Sequence, residues 1–258
     1  MPATPTETTA IRLARVRGRP HLTVRGGAYR GMPVEWGAHG GTVALLAERA
    51  LLLEGDHVAL RVEVADGLTL HLRETAGTVA YDMRGGRASW SLHAHVSSGS
   101  TLVVDAPPWV SAEGSRTVRS TEVDLEPEAR LAVRETLVLG RTGEDPGRLV
   151  SHTRVSREGR VQLIEELDAV HVAPHRVLDT VLCFGAPADA WGGEAPAVPG
   201  GPLRLESGDL VWRALAHDAH EAARLLDPVW DVVRTAQASR VTPPETLASA
   251  SRVGTTKR

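Results

Sequence analysis

A chain of 258 residues with a 42% apolar fraction can close a core as one domain, and all-β architectures often reach this size undivided. Its net charge of −3, from 29 Lys and Arg against 32 Asp and Glu, leaves no basic field of the kind that nucleic acid or an anionic membrane would require. No window approaches the ~20 apolar residues of a membrane helix. The first ten residues, MPATPTETTA, lack the basic and apolar regions of a secretory leader and are expected to be disordered. The single cysteine, Cys183, cannot form an internal disulfide, which suits a reducing compartment, and a cytoplasmic protein is expected. In the apolar run VLCFG, Cys183 reads as a small buried hydrophobe.

Residues 51–81 carry the first strong pattern. Val58, Leu60, Val62 and Val64 point one way while Ala59, Arg61 and Glu63 point the other, the alternation of a half-buried strand. Asp66-Gly67 breaks the run with residues that tolerate positive φ, and Leu68, Leu70 and Leu72 resume it, so the segment is expected to form a hairpin. Trp90, Leu92, Ala94 and Val96 alternate next, Ser98-Gly99 turns the chain, and Leu102 and Val104 follow. Val118, Val123 and Leu125 lead to a turn at Pro127-Glu128-Ala129, after which Leu131, Val133, Leu137 and Leu139 carry the apolar positions. Val155, the turn Glu158-Gly159, Val161 and Leu163 complete the series. These turns recur about every thirty residues, the scale of repeat architectures. The expected fold is mainly β, with consecutive hairpins in two sheets and a core filled by Leu and Val, because aromatics make up only 3% of the chain.

Pro and Gly break the pattern at residues 106–109 and again at 185–202. Beyond them the period changes to that of helices over residues 205–238. Ser207-Gly208-Asp209 reads as one helix start, with Leu210, Val211, Ala214, Leu215, Ala219, Ala222, Ala223 and Leu226 at helical spacing. Asp227-Pro228 reads as a second, ahead of Val229, Trp230 and Val233. The polar tail from residue 239 to 258 is expected to be unstructured.

The chain has no GxxxxGK[ST] phosphate loop, CxxC pair, HExxH or GxSxG. His93 and His95 share one strand face, and His217 and His220 one helix face beside Glu221, spacings that can hold a metal but that solvated faces also collect. His171 and His175 flank Pro174, and Glu165 and Glu166 face opposite sides of a strand. Glu135 stands out, because alternation puts it on the apolar face with Leu131, Val133, Leu137 and Leu139. A buried carboxylate needs a partner, and Arg116, Arg134 and Arg141 are the candidates. A structural salt bridge is the simpler reading and a functional polar channel the sharper one.

The ordered pieces resemble the urease accessory protein family UreD, called UreH in some lineages. Gly55-Asp56, Asp66-Gly67 and the segment Thr75-Ala76-Gly77-Thr78-Val79-Ala80-Tyr81 are similar to its early core. Pro107-Pro108, Ser115-Arg116, Glu135-Thr136-Leu137-Val138-Leu139-Gly140-Arg141 and Arg157-Glu158-Gly159 resemble its later motifs in order. Departures lie around Glu74, Thr75 and Val79, at Trp109, at His152 where the family commonly has Arg, and in the C-terminal ending, which marks a divergent member.

The resemblance implies an elongated, helically arranged β structure with C-terminal helices and a non-enzymatic maturation role. It implies partners too: urease apoprotein, UreF, and through UreF the GTPase UreG, with a dimer within the accessory complex. The helices at residues 209–237 are the surface expected to meet UreF. No permanent cofactor is expected; nickel would be cargo, passed through an internal water-filled passage. Asp56, Thr75, Thr78, Asp105 and Glu135 are the candidate lining, since Ni(II) accepts nitrogen and oxygen ligands and a tight cage would trap it. A plain β-scaffold binding module and a carboxylate-based hydrolase are the alternatives.

Overall fold

The computed structural model describes residues 6–186, 196 and 198–238. Its strands are β1 (Glu7–Val16), β2 (Arg19–Arg25), β3 (Tyr29–Gly37), β4 (Gly40–Ala47), β5 (His57–Val64), β6 (Thr69–Glu74), β7 (Val79–Ala80), β8 (Ala88–Val96) and β9 (Thr101–Asp105). Then come β10 (Trp109–Ser111), β11 (Arg116–Leu125), β12 (Arg130–Leu139), β13 (Arg148–Arg157), β14 (Arg160–Asp168), β15 (Val177–Phe184), β16 (Leu203–Arg204) and β17 (Leu210–Ala216). One helix, α1 (Ala219–Ala238), follows. The first sheet runs β14-β13-β11-β8-β5-β1-β2 and the second β16-β17-β15-β12-β9-β6-β4-β3, with β7 and β10 attached beside β12.

The architecture is mainly β and two-sheeted as expected, but the hairpins of its central part are not hairpins. β5 pairs with β1 and β8, all parallel, while β6 pairs in parallel with β4 and β9 in the other sheet. At Asp66-Gly67 the chain therefore crosses from one sheet to the other. Each coil repeats the same corner: Leu68 N donates to Ala65 O, Ser100 N to Ser97 O and Ala129 N to Glu126 O, at 2.9–3.1 Å. Asp66, Gly99 and Glu128 take positive φ at those corners. The thirty-residue spacing is thus the rise of a solenoid, each strand stacking on the equivalent strand of the next coil. Only the ends close antiparallel, and Glu158-Gly159 is a true hairpin between β13 and β14.

Two apolar layers hold this together. Between the sheets lie Leu13, Leu60, Leu70, Leu92, Leu102, Leu131 and Phe184, each at most 2% exposed. The second layer, on the outer side of the second sheet, joins Val103, Ala132, Val181 and Trp212 to Leu226, Val229, Trp230 and Val233 of α1. Strand β15 is consequently buried along its whole length.

The termini differ from expectation. Residues 7–10 are part of β1, pairing with Val58–Arg61 through Glu7↔Val58 and Ala10↔Arg61, whereas residues 1–5 and 239–258 lie outside the described residues. Residues 210–216 form a strand, not a helix. Leu210, Trp212 and Ala214 face α1 and Val211 faces the inter-sheet core, so burial on both faces erased the alternation. Asp227-Pro228 starts no second helix either, since α1 runs through Pro228. The real start is a capping box: Asp218 Oδ1 accepts from Glu221 N at 2.8 Å and Glu221 Oε2 accepts from His217 N at 2.9 Å. Among the described residues no helix is long and apolar enough to cross a membrane.

The helix is a structural layer, so its apolar face is not free for a partner. Gln237 closes its end, Nε2 donating to Leu131 O and Phe184 O at 3.2 and 2.9 Å. Trp230→Ala, which empties the centre of this layer, is expected to cost about 3–5 kcal/mol in urea unfolding; a loss below about 1 kcal/mol would show the helix to be only loosely docked.

Candidate functional site

The stacked register places equivalent positions of successive coils side by side. Val58, Trp90, Arg119 and Ser151 form one inward ladder on the first sheet, and Leu60, Leu92, Thr121, Thr153 and Glu165 the next. Facing them, the second sheet aligns Glu135, Thr180 and Arg213. Both sheets therefore change from apolar to polar toward the later coils.

Three cavities with shared lining residues lie along or beside this polar strip. A vestibule of about 330 Å³ opens on the outer side of the second sheet, between Arg73, Asp105, Asp179 and the α1 residues Ala219, Ala223 and Asp227. It shares Glu74, Ala106, Pro107 and Thr136 with a neck of about 10 Å³, also lined by Thr78, Trp90, Trp109, Arg119 and Glu135. Glu135 in turn lines an inner chamber of about 20 Å³ with Thr121, Ser151, Thr153, Thr180 and Glu165. Glu165 pairs with Arg213, and both side chains keep over a quarter of their surface in solvent. A larger cleft of about 760 Å³ lies on the outer face of the first sheet. There the charges pair with one another, His93 with Glu122 at 3.4 Å and Arg12 with Glu63 at 2.8 Å.

The vestibule is a charge network. Fully buried Asp179 receives Arg134 at 2.8 and 3.3 Å and the Thr136 hydroxyl at 2.9 Å, while Arg134 also reaches Asp227 at 2.7 Å. Burial works against the charge of Asp105, but His71 and Arg73, each 3.7 Å away, outweigh it and hold the carboxyl below its ordinary range.

In the neck, Arg119 extends from β11, 6% exposed, with its guanidinium 4.6 Å from the Trp90 ring centre and 5.8 Å from that of Trp109. It pairs with Glu135 across the sheets and donates to Thr121 Oγ1 at 3.1 Å. Burial lowers the Arg119 pKa to about 10 against the pull of Glu74 and Tyr29. Burial likewise raises Glu74 to about 7, although the charge of Arg119 opposes it. Tyr29, whose hydroxyl accepts from Trp90 Nε1 at 3.0 Å, is pushed well above its ordinary range by burial and by Glu74.

The structure divides the sequence candidates. Thr78 lies in the neck, Asp105 in the vestibule and Glu135 at the junction of neck and inner chamber. Asp56 lies elsewhere, clasped by Arg49 at 2.9 and 3.0 Å and capping Leu53 N at 2.8 Å. Thr75 is exposed and donates to Leu45 O at 3.1 Å. The expected partners of Glu135 are also corrected. Arg116 binds Gly85 O, Arg141 binds Glu144, and Arg134 projects from the opposite face of β12. Arg119 takes the role instead.

Other motif residues shape corners rather than cavities. Gly55 and Gly159 take positive φ in turns, and Tyr81 is 36% exposed. At Gly140 a Cβ would meet Arg176 Nη2 at 2.4 Å, so only glycine lets that guanidinium hold Leu139 O and Glu144 O. Cys183 is buried as expected, its thiol pushed up to about 12 by burial.

Glu74, Arg119, Thr121, Ser151, Thr153 and Arg213 were missed as site residues. The signal for Arg119 was present: counting back by twos from Leu125 and Val123 puts Thr121, Arg119 and Thr117 inward, while Val118 points out and is 44% exposed. Among the described residues, no three His, Cys, Asp or Glu side chains converge as a metal cage.

Comparison with known proteins adds an independent line. The family model described as UreD urease accessory protein matches residues 36–248. The urease accessory protein UreD 1 of Streptomyces griseus subsp. griseus is 41% identical over 152 residues, 55% of this chain and 60% of that protein. UreD of Streptomyces avermitilis is 41% identical over 47% of this chain and 49% of its own length. UreD 2 of Saccharopolyspora erythraea is 32% identical over 74% and 73%. The chain thus spans about half to three fifths of the length of the first two relatives.

Glu74 supplies a pH test. Folded Glu74 holds its proton up to about pH 7, whereas an ordinary glutamate releases it near 4.5, so the folded state binds the extra proton between those values. Stability should therefore fall as pH rises through that window. Glu74→Gln is expected to stabilise the protein at pH 8 by about 2 kcal/mol relative to the parent, and by almost nothing at pH 4.5. Urea midpoints at the two pH values check this, and equal differences at both would show a solvated carboxylate.

Proposed function

The chain belongs to the UreD urease accessory family, matched over residues 36–248, and from that premise we propose that it bridges urease apoprotein to UreF and UreG and carries nickel inward between its sheets. Family membership supports a role in urease maturation and is consistent with a non-enzymatic one. The finer reading is supported by one observation above all. Carboxylates and hydroxyls line three neighbouring cavities that share lining residues, from the outer side of the second sheet to the space between the sheets.

Nickel is the cargo in this reading. Asp105 and Glu74 meet the ion at the vestibule, Thr78 and Glu135 receive it in the neck, and Thr121, Ser151, Thr153, Thr180 and Glu165 take it onward. Ligands offered singly or in pairs, of intermediate hardness, bind Ni(II) weakly enough to release it. The small neck obliges the ion to exchange hydration water for these oxygens. GTP chemistry remains with UreG.

Glu135→Gln is expected to leave recovery of the co-expressed accessory complex unchanged while lowering the nickel content of urease several-fold. Full nickel loading with an intact complex would remove the passage from the mechanism. The exposed side of α1 beside the vestibule, with Arg224 and the 42% exposed Val232, is the surface assigned to UreF. Arg224→Glu combined with Val232→Asp should then reduce UreF co-purification, and undiminished recovery would move that contact elsewhere on the molecule.

A further inference from the structure

Among the described residues lining the neck and inner chamber, Arg119 is the one cation, and it stands where a cation in transit would have to pass. Its guanidinium reaches from the first sheet to Glu135 on the second, so it spans the gap between the layers. Such a charge could hardly sit in a worse place for a static lining, because it repels the very ions that the carboxylates attract.

The way it is held is also unusual for a purely structural arginine. A guanidinium has five N–H donors. Here Nη1 is ion-paired with Glu135 and donates to Thr121 Oγ1, the flanking surfaces are the rings of Trp90 and Trp109, and both Arg119 Nε and Glu135 Oε1 are buried without a hydrogen-bond partner. Buried donors are almost always satisfied, and an exception calls for an explanation. A stacked guanidinium with a single ion pair can turn within its plane over the indole. On the vestibule side of the same neck, Glu74 offers it a second carboxyl group, which gives up its proton to water as the guanidinium approaches.

We propose that Arg119 is a displaceable internal counter-ion: it keeps the neck closed while paired with Glu135, and a divalent cation opens the neck by taking over Glu135 as the guanidinium turns toward Glu74. This rests on the passage reading above. The guanidinium thus stands in for the cargo, so the carboxylates are never left uncompensated in the dry interior when no ion is present. It also makes entry selective, because a monovalent ion cannot replace the single charge of Arg119 with any net gain at Glu135, whereas a divalent one can.

The test is a calorimetric titration of the full-length chain with nickel sulfate. Arg119→Gln is expected to bind nickel at least tenfold more tightly than the parent, since the competing charge is gone, and the double variant Arg119→Gln with Glu135→Gln to lose that gain. Equal affinity of the parent and Arg119→Gln overturns the lock. The two readings fail separately: if Glu135→Gln loads urease normally, the passage itself is wrong, whereas if Glu135→Gln impairs loading but Arg119→Gln binds nickel like the parent, only the lock is wrong. A second measurement does not depend on any Arg119 variant folding. Titration of the parent with zinc sulfate, a diamagnetic divalent ion, should shift tryptophan emission as the guanidinium leaves Trp90, and the shift should vanish in Trp90→Phe. Absence of a Trp90-dependent shift also overturns the proposal.

Discussion

Each strand of the central coils is hydrogen-bonded to the strand one coil later, not to its neighbour in sequence, and the rest of the structure depends on that pairing. Parallel register at about thirty-residue intervals converts every inward position into a column of side chains running along the sheet. A column can be apolar at one end and polar at the other, as Val58, Trp90, Arg119 and Ser151 are. A hairpin would have paired His57–Val64 with the strand just after it and produced no such gradient. The polar strip between the sheets is therefore a product of stacking, and its position follows from which coils carry Arg, Ser and Thr.

That strip carries an energetic burden which the two apolar layers offset. Arg119 and Glu135 are removed from water, and a buried ion pair is weak evidence of net stabilisation because desolvation is costly. The Leu-rich core of the earlier coils and the α1 layer supply the compensating burial, each fully buried large side chain contributing about 1.5–3 kcal/mol. Arg134 and Asp179 repeat the theme on the outer side of the second sheet, where the helix covers them, while Asp227 of α1 pairs with Arg134 from an exposed position. Polar interior groups thus gather at the junction of the two layers, where cavities open.

Much of this could be read from residues alone. Period-two alternation, corner residues tolerant of positive φ, and the spacing of the turns identified a repeating two-sheet β structure, and the odd position of Glu135 marked it as an inward carboxylate. The C-terminal part was less legible. Residues 210–212 are buried on both faces and Leu215 is an exposed apolar residue, which together hide the alternation by which a strand is recognised, and the capping box at Asp218 and Glu221 lies among His217 and His220, whose spacing also suits metal binding. The family motifs were legible too, yet most of them turned out to be corners and braces, such as Gly140 beneath Arg176.

The sequence by itself determined which face of most central strands looks inward, where the chain turns, and the resemblance to its family, because these depend on local alternation and backbone preference. Only the tertiary structure decided which strand each one pairs with, that Arg119 and not Arg116, Arg134 or Arg141 meets Glu135, and that Thr78, Asp105 and Glu135 line neighbouring cavities while Asp56 and Thr75 line none of them. The reason is physical. An arch between sheets and a hairpin within one present the same alternation and the same turn residues, and they differ only in hydrogen bonds formed with a coil some thirty residues away.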